Sequence, residues 1–152
     1  MKLLTADQAL AGGSAGAARG WTAAEYRSVF GWDVGKSDGR IVLTLGRGVV
    51  ALLVPVPVAM RVVPRLKRLD AVGPVFAEAG DEPHWVLLAD ANEFVTTAGD
   101  VPKGIVVLGA GQRIPVPCAE TRASGPRWIV PPDPRRRWLP TLSTVLTAIW
   151  RV

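Results

Sequence analysis

Residues 41–55 read Ile-Val-Leu-Thr-Leu-Gly-Arg-Gly-Val-Val-Ala-Leu-Leu-Val-Pro, the strongest β signal in the chain, and no carboxylate lies between Asp38 and Asp70. Residues 40–45 and 48–54 predict two strands joined by Gly46-Arg47, a two-residue connection in which a leading glycine suits a type II′ turn. The second strand is apolar on both faces, which belongs in the middle of a sheet rather than at its edge.

One ordinary domain accommodates all 152 residues, a length that buries roughly two thirds of the unfolded surface around one core. Residues 10–20 are low in complexity, so the expected organisation is a flexible segment over 1–20 and a single domain over 21–152. The longest uncharged stretch, residues 48–60, holds 13 residues and two prolines, short of the roughly 20 that cross a bilayer. Asp7 interrupts the apolar start before a signal-peptide core forms. One cysteine excludes an internal disulfide and suits a reducing compartment. These features predict a soluble cytoplasmic protein with no membrane partner.

The +5 net charge is unevenly spread. Residues 1–76 carry ten Lys or Arg against five Asp or Glu, residues 77–100 carry six acidic residues and no basic one, and residues 101–152 carry eight basic against two acidic. A fold that joins the two basic parts presents a cationic face suited to a polyanion. The plainer reading is an ordinary solvated surface in an arginine-biased composition, with 14 Arg to 4 Lys.

Thr22 and Glu25 fit a capping box, and Trp21 with Tyr26 fits a hydrophobic staple, predicting a helix over 23–30 that ends at Gly31. Residues 58–71 have helical spacing, with Ala59, Val62, Val63, Leu66 and Leu69 on one side and Arg61, Arg65, Lys67 and Arg68 mostly on the other. Pro64 is expected to kink or split that helix. Short strands follow at 75–77, 84–89, 105–108 and 127–130. A last helix opens at Leu139-Pro140, with Leu142, Val145, Leu146 and Ile149 as a buried stripe. The expected fold class is α+β, a single mixed or antiparallel sheet flanked by about three helices.

Most motifs for chemistry fall short. Gly46-Arg47-Gly48 and Gly109-Ala110-Gly111 lack the third glycine and following helix of a dinucleotide fingerprint and read as tight turns. Gly35-Lys36-Ser37 ends like a phosphate-binding loop but lacks its first glycine. His84, after Asp81-Glu82-Pro83, has no second histidine or nearby cysteine to complete a metal shell, and Cys118 has no histidine to generate a thiolate. Ser37, Ser124 and Ser143 lack a nucleophile elbow. No catalytic residue, metal site or cofactor is therefore assigned.

The segment from Trp128 to Trp138 sets Arg135, Arg136 and Arg137 between two tryptophans. Guanidinium groups that neutralise phosphates beside an indole that stacks on a base are the tools of single-strand binders. Alternatively, the tryptophans anchor the core and the arginines form a solvated corner.

His84-Trp85-Val86-Leu87, Pro117-Cys118 followed by Ser124-Gly125 and Trp128, and the strand over 48–55 together carry a family resemblance. Residues 40–150 resemble a shortened, degenerate primase-polymerase domain of bifunctional DNA primase/polymerases, in the archaeo-eukaryotic primase superfamily. The resemblance implies that His84 contacts an incoming nucleotide and that the strand over 48–55 carries metal-binding acids. Here that strand reads Val49-Val50-Ala51-Leu52-Leu53-Val54, so the acidic pair that would hold the divalent ions of phosphoryl transfer is missing.

The leading expectation is a non-catalytic, primase-polymerase-like module binding nucleic acid, or a partner associated with it, through Arg61, Arg65, Lys67, Arg68, Arg135, Arg136, Arg137 and Trp138. A protein-interaction module without nucleic-acid binding is the second reading. A residual nucleotidyltransferase using Asp33, Asp38 or Asp81 and Glu82 as relocated metal ligands, with His84 on the nucleotide, is the third.

Overall fold

The computed structural model describes residues 21–78, 84–91, 101–119 and 125–152. These contain helices α1 (Ala23–Phe30), α2 (Val56–Arg68) and α3 (Leu142–Trp150). The strands are β1 (Val34–Ser37), β2 (Arg40–Thr44), β3 (Val49–Pro55), β4 (Val75–Ala77), β5 (His84–Asp90), β6 (Val106–Leu108), β7 (Arg113–Pro115) and β8 (Arg127–Val130). The fold is α+β. The flexible segment expected over 1–20 lies outside the described residues.

Two antiparallel sheets replace the single sheet expected: β1-β2-β7 and β6-β3-β5-β4-β8. The reason lies in β3. Val50, Leu52 and Val54 face one core cluster, with Ala59, Val62, Val63 and Leu66 of α2 and Leu142, Val145 and Ile149 of α3. Ala51, Val49 and Leu53 face the other, built from Tyr26, Trp32, Val34, Ile41, Leu43, Leu45 and Ile114. A strand apolar on both faces needs a layer on each side. Helices α2 and α3 supply one, and the three-stranded sheet with α1 supplies the other. As expected, β3 is an inner strand, between β5 and β6.

The hairpin expected between residues 40–45 and 48–54 does not form, because β2 pairs with β1 and β7 instead. The connection between them is a crossover from one sheet to the other. Gly46 has φ 150°, Arg47 54° and Gly48 88°, and the Val49 N–H donates to the Gly46 carbonyl at 3.0 Å. The turn thus centres on Arg47-Gly48, with positive φ at both central positions as in a type I′ turn, and not on Gly46-Arg47 in a type II′ turn. A second crossover, from β6 to β7, runs beside it. The Leu45 N–H donates to the Gln112 carbonyl at 2.8 Å, and the Gly111 N–H donates to the Leu45 carbonyl at 2.9 Å.

Helix α1 has the expected limits, with the reciprocal Thr22–Glu25 capping box in place and Gly31 closing it at φ 70°. Such a cap contributes about 1 kcal/mol. Trp21 packs edge-on against Phe30, with ring centroids 5.3 Å apart, while its backbone N–H donates to the Tyr26 hydroxyl at 3.1 Å. Helix α2 continues through Pro64 without being split. Pro64 and Met60, whose carbonyl loses a donor there, both lie on the exposed side of the helix. Helix α3 begins two residues beyond Pro140, capped by the Thr141 hydroxyl. Among the described residues no helix is long and apolar enough to cross a membrane.

Candidate nucleic-acid interface

Helix α2 has no acidic residue in its first turn and three basic ones, Arg65, Lys67 and Arg68, in its last. Cations there complement the partial negative charge of the helix C-terminus. That placement stabilises the helix and also concentrates positive charge at one end. Arg61, Lys67 and Arg68 are exposed. Arg65 is half-buried, and its Nε is enclosed without a hydrogen-bond partner.

The loop after β8 reaches the same end of α2. Asp133 caps a tight turn, accepting from the Arg135 backbone N–H at 2.8 Å, with a second bond from the Arg136 N–H to the Asp133 carbonyl at 3.0 Å. The turn swings Arg136 over Asp70, just past α2, where Nη1 donates to Oδ1 at 2.8 Å. That hydrogen bond, and then the carboxylate's charge, push the Arg136 pKa above its ordinary value. The guanidinium also lies 5.1 Å from the Trp138 ring centroid. Arg137 donates to the Val29 carbonyl at 3.2 Å, near the end of α1. The three adjacent arginines therefore differ in role: Arg136 and Arg137 fasten the loop, and the Arg135 side chain remains exposed.

The two tryptophans part company as well. Trp128 is buried, edge-on to Phe76 with centroids 5.4 Å apart, and donates through Nε1 to the Tyr26 hydroxyl at 2.8 Å. Trp138 is 48 % exposed and lies beside the arginines. Of these two, Trp138 is the one with exposed ring surface, and the Arg136 guanidinium lies over that ring.

His84 stands opposite Pro55, at the start of α2, with Nδ1 3.9 Å from Glu78 Oε2. The 13 residues of α2 put its two ends about 20 Å apart. His84 and the arginine loop are thus at opposite ends of the helix, and a single nucleotide does not span them. Asp81 and Glu82 lie outside the described residues. Asp33 is exposed, and Asp38 occupies the β1–β2 turn at φ 52°. No group of three His, Cys, Asp or Glu side chains among the described residues converges on a metal position.

The remaining motifs are structural. Gly35-Lys36-Ser37 is part of β1, and Gly109-Ala110-Gly111 is a turn held by the Gly109 N–H donating to Gln112 Oε1 at 2.8 Å. Cys118 is buried in the core between the two sheets. Asp70 belongs to this surface although nothing local in the sequence signals that it pairs with a residue 66 positions away. Comparison with known proteins returns no matching family model, no matching curated protein and no matching solved structure.

Proposed function

We propose that this chain is a non-catalytic module that binds nucleic acid through the surface formed by the C-terminal half of α2 and the loop at residues 133–138. The observation that carries this reading is the Arg136–Asp70 ion pair at 2.8 Å. It holds an arginine-rich loop against a lysine- and arginine-rich helix end, next to an exposed indole. Closely spaced cations neutralise successive phosphates, and the ring stacks on a base. The likeness of His84-Trp85-Val86-Leu87 and the 48–55 strand to primase-polymerase domains supports descent from a nucleic-acid enzyme. The lack of any carboxylate on β3 supports the loss of its chemistry.

Fluorescence anisotropy of labelled single- and double-stranded oligonucleotides across a salt series tests this. The variant is Arg68→Ala/Arg135→Ala, which spares the loop's own contacts. Binding is expected to weaken, with the logarithmic salt slope shallower by about 0.7–0.9 for each phosphate contact removed. Undetectable binding by the wild type at low salt overturns the reading. Template extension by the wild type with Mg²⁺ or Mn²⁺, lost in His84→Ala, overturns its non-catalytic part.

A protein partner is the second reading, favoured by exposed apolar side chains near the charges, Leu69 at 58 % and Met60 at 59 %. Its mark is a partner recovered by pull-down that survives nuclease treatment.

A further inference from the structure

Helices α2 and α3 lie side by side over the five-stranded sheet, and between them runs an open groove of about 250 Å³. Arg65 and Leu69 line it from α2; Ser143, Thr147 and Arg151 line it from α3. Two arginines thus border one recess, and no carboxylate among the described residues forms an ion pair with either. Like charges facing a common space repel unless an anion lies between them.

The Arg65 Nε is shut off from solvent and has no hydrogen-bond partner, a state rare for a buried donor in a folded protein. Closed to the open groove as well, it leaves the rest of the guanidinium to meet a ligand. The Thr144 hydroxyl, also on the groove wall, is engaged with the Thr141 hydroxyl at 2.8 Å in the helix cap. The Ser143 hydroxyl lies 3.3 Å from the same Thr141 oxygen, a contact in which it can accept and keep its own proton for a ligand. Ser143 and Thr147 are both exposed residues bordering this space.

We propose that this groove seats one phosphate group between the Arg65 and Arg151 guanidinium groups, with hydrogen bonds donated by the Ser143 and Thr147 hydroxyls. Two planar forks and two hydroxyls match a tetrahedral oxyanion, which has acceptors on every side. The groove deepens the proposed function, resting on it for the source of the phosphate, and extends the binding surface from α2 onto α3. The phosphate belongs either to the backbone of a strand or to its 5′ end.

The test follows the arginine Nε–H resonances of the full chain by ¹H–¹⁵N NMR, assigned with Arg65→Gln and Arg151→Gln. The probes are inorganic phosphate, a 5′-hydroxyl oligonucleotide and a 5′-phosphorylated one. Saturable shifts of both resonances are expected, with affinity reduced about tenfold in either variant, as befits the loss of one charge-assisted contact. Response to both oligonucleotides identifies a backbone phosphate, and response to the 5′-phosphorylated one alone identifies a terminal phosphate. No saturable shift of either wild-type resonance with any probe overturns the groove, the assignment resting on variants whose amide spectra remain dispersed. Oligonucleotide affinity unchanged in Arg65→Gln/Arg151→Gln also overturns it while sparing the wider basic surface. Saturation by inorganic phosphate without response to either oligonucleotide leaves an anion site in the groove but overturns nucleic acid as the source of its phosphate, and the anisotropy titration then decides the wider basic surface by itself.

Discussion

Asp70 and Arg136 meet across a 2.8 Å ion pair, so a carboxylate sits inside the basic surface and holds one of its arginines. Both side chains are largely exposed, and exposed pairs contribute little to stability. Asp70→Asn is expected to leave the thermal midpoint almost unchanged. It removes a negative charge and releases Arg136, so polynucleotide binding should tighten and its salt slope steepen. Weaker binding in the same titration would show that loop placement outweighs charge.

The Tyr26 hydroxyl joins three parts of the inter-sheet core. It accepts from the Trp21 backbone N–H at 3.1 Å and from Trp128 Nε1 at 2.8 Å, and donates to the Pro117 carbonyl. Tyr26→Phe keeps the ring that stacks on Trp32, with centroids 5.3 Å apart, and strands those three partners. Leaving buried polar groups unpaired costs about 1–3 kcal/mol. Urea denaturation should show that loss without a change in m-value.

Burial pushes the Tyr26 phenol well above its ordinary pKa. Above about pH 10 the unfolded chain gives up this proton while the folded chain keeps it, so stability falls as pH rises. The contribution is fully present below that pH. Urea midpoints measured from pH 8 to 11 should decline more steeply for the wild type than for Tyr26→Phe, and parallel curves would refute the assignment.

Gly73 is a contact between loops rather than a flexible link. A Cβ placed there would stand 2.4 Å from Pro140 Cδ and 3.2 Å from the Leu88 carbonyl. Gly73→Ala is expected to destabilise by about 1–3 kcal/mol, as overpacking does. Gly35→Ala, where a Cβ meets nothing within 4 Å, is the control. Thermal unfolding of the two variants decides the point.

The elements legible in the sequence are those specified by neighbours along the chain. The α1 capping box, the buried stripe of α3 and the limits of β4 and β8 depend on residues a few positions apart. Strands β1 and β7 escaped notice because Val-Gly-Lys-Ser and Arg-Ile-Pro are short and carry little apolar alternation. The division into two sheets was hidden because β2 chooses β7, a partner far along the chain, over the adjacent β3. For the candidate site, the basic residues could be named but not sorted. Arg136 differs from Arg135 because Asp70 lies beside it, and Trp128 differs from Trp138 because Tyr26 and Phe76 enclose it.

The paired crossovers at residues 45–48 and 109–112 bear on the order in which this chain assembles. Strands β1 and β2 form an adjacent hairpin, yet the second edge of β2 stays unpaired until β7, about seventy residues later, docks along it. The five-stranded sheet likewise waits for β6 and β8 at its two edges. Each crossover is hydrogen-bonded to the other through Leu45, so neither sheet can seal its corner alone. Closure of the two layers is then expected to be concerted, and β2, with an edge that only β7 pairs, is the strand where contact between chains would compete with it.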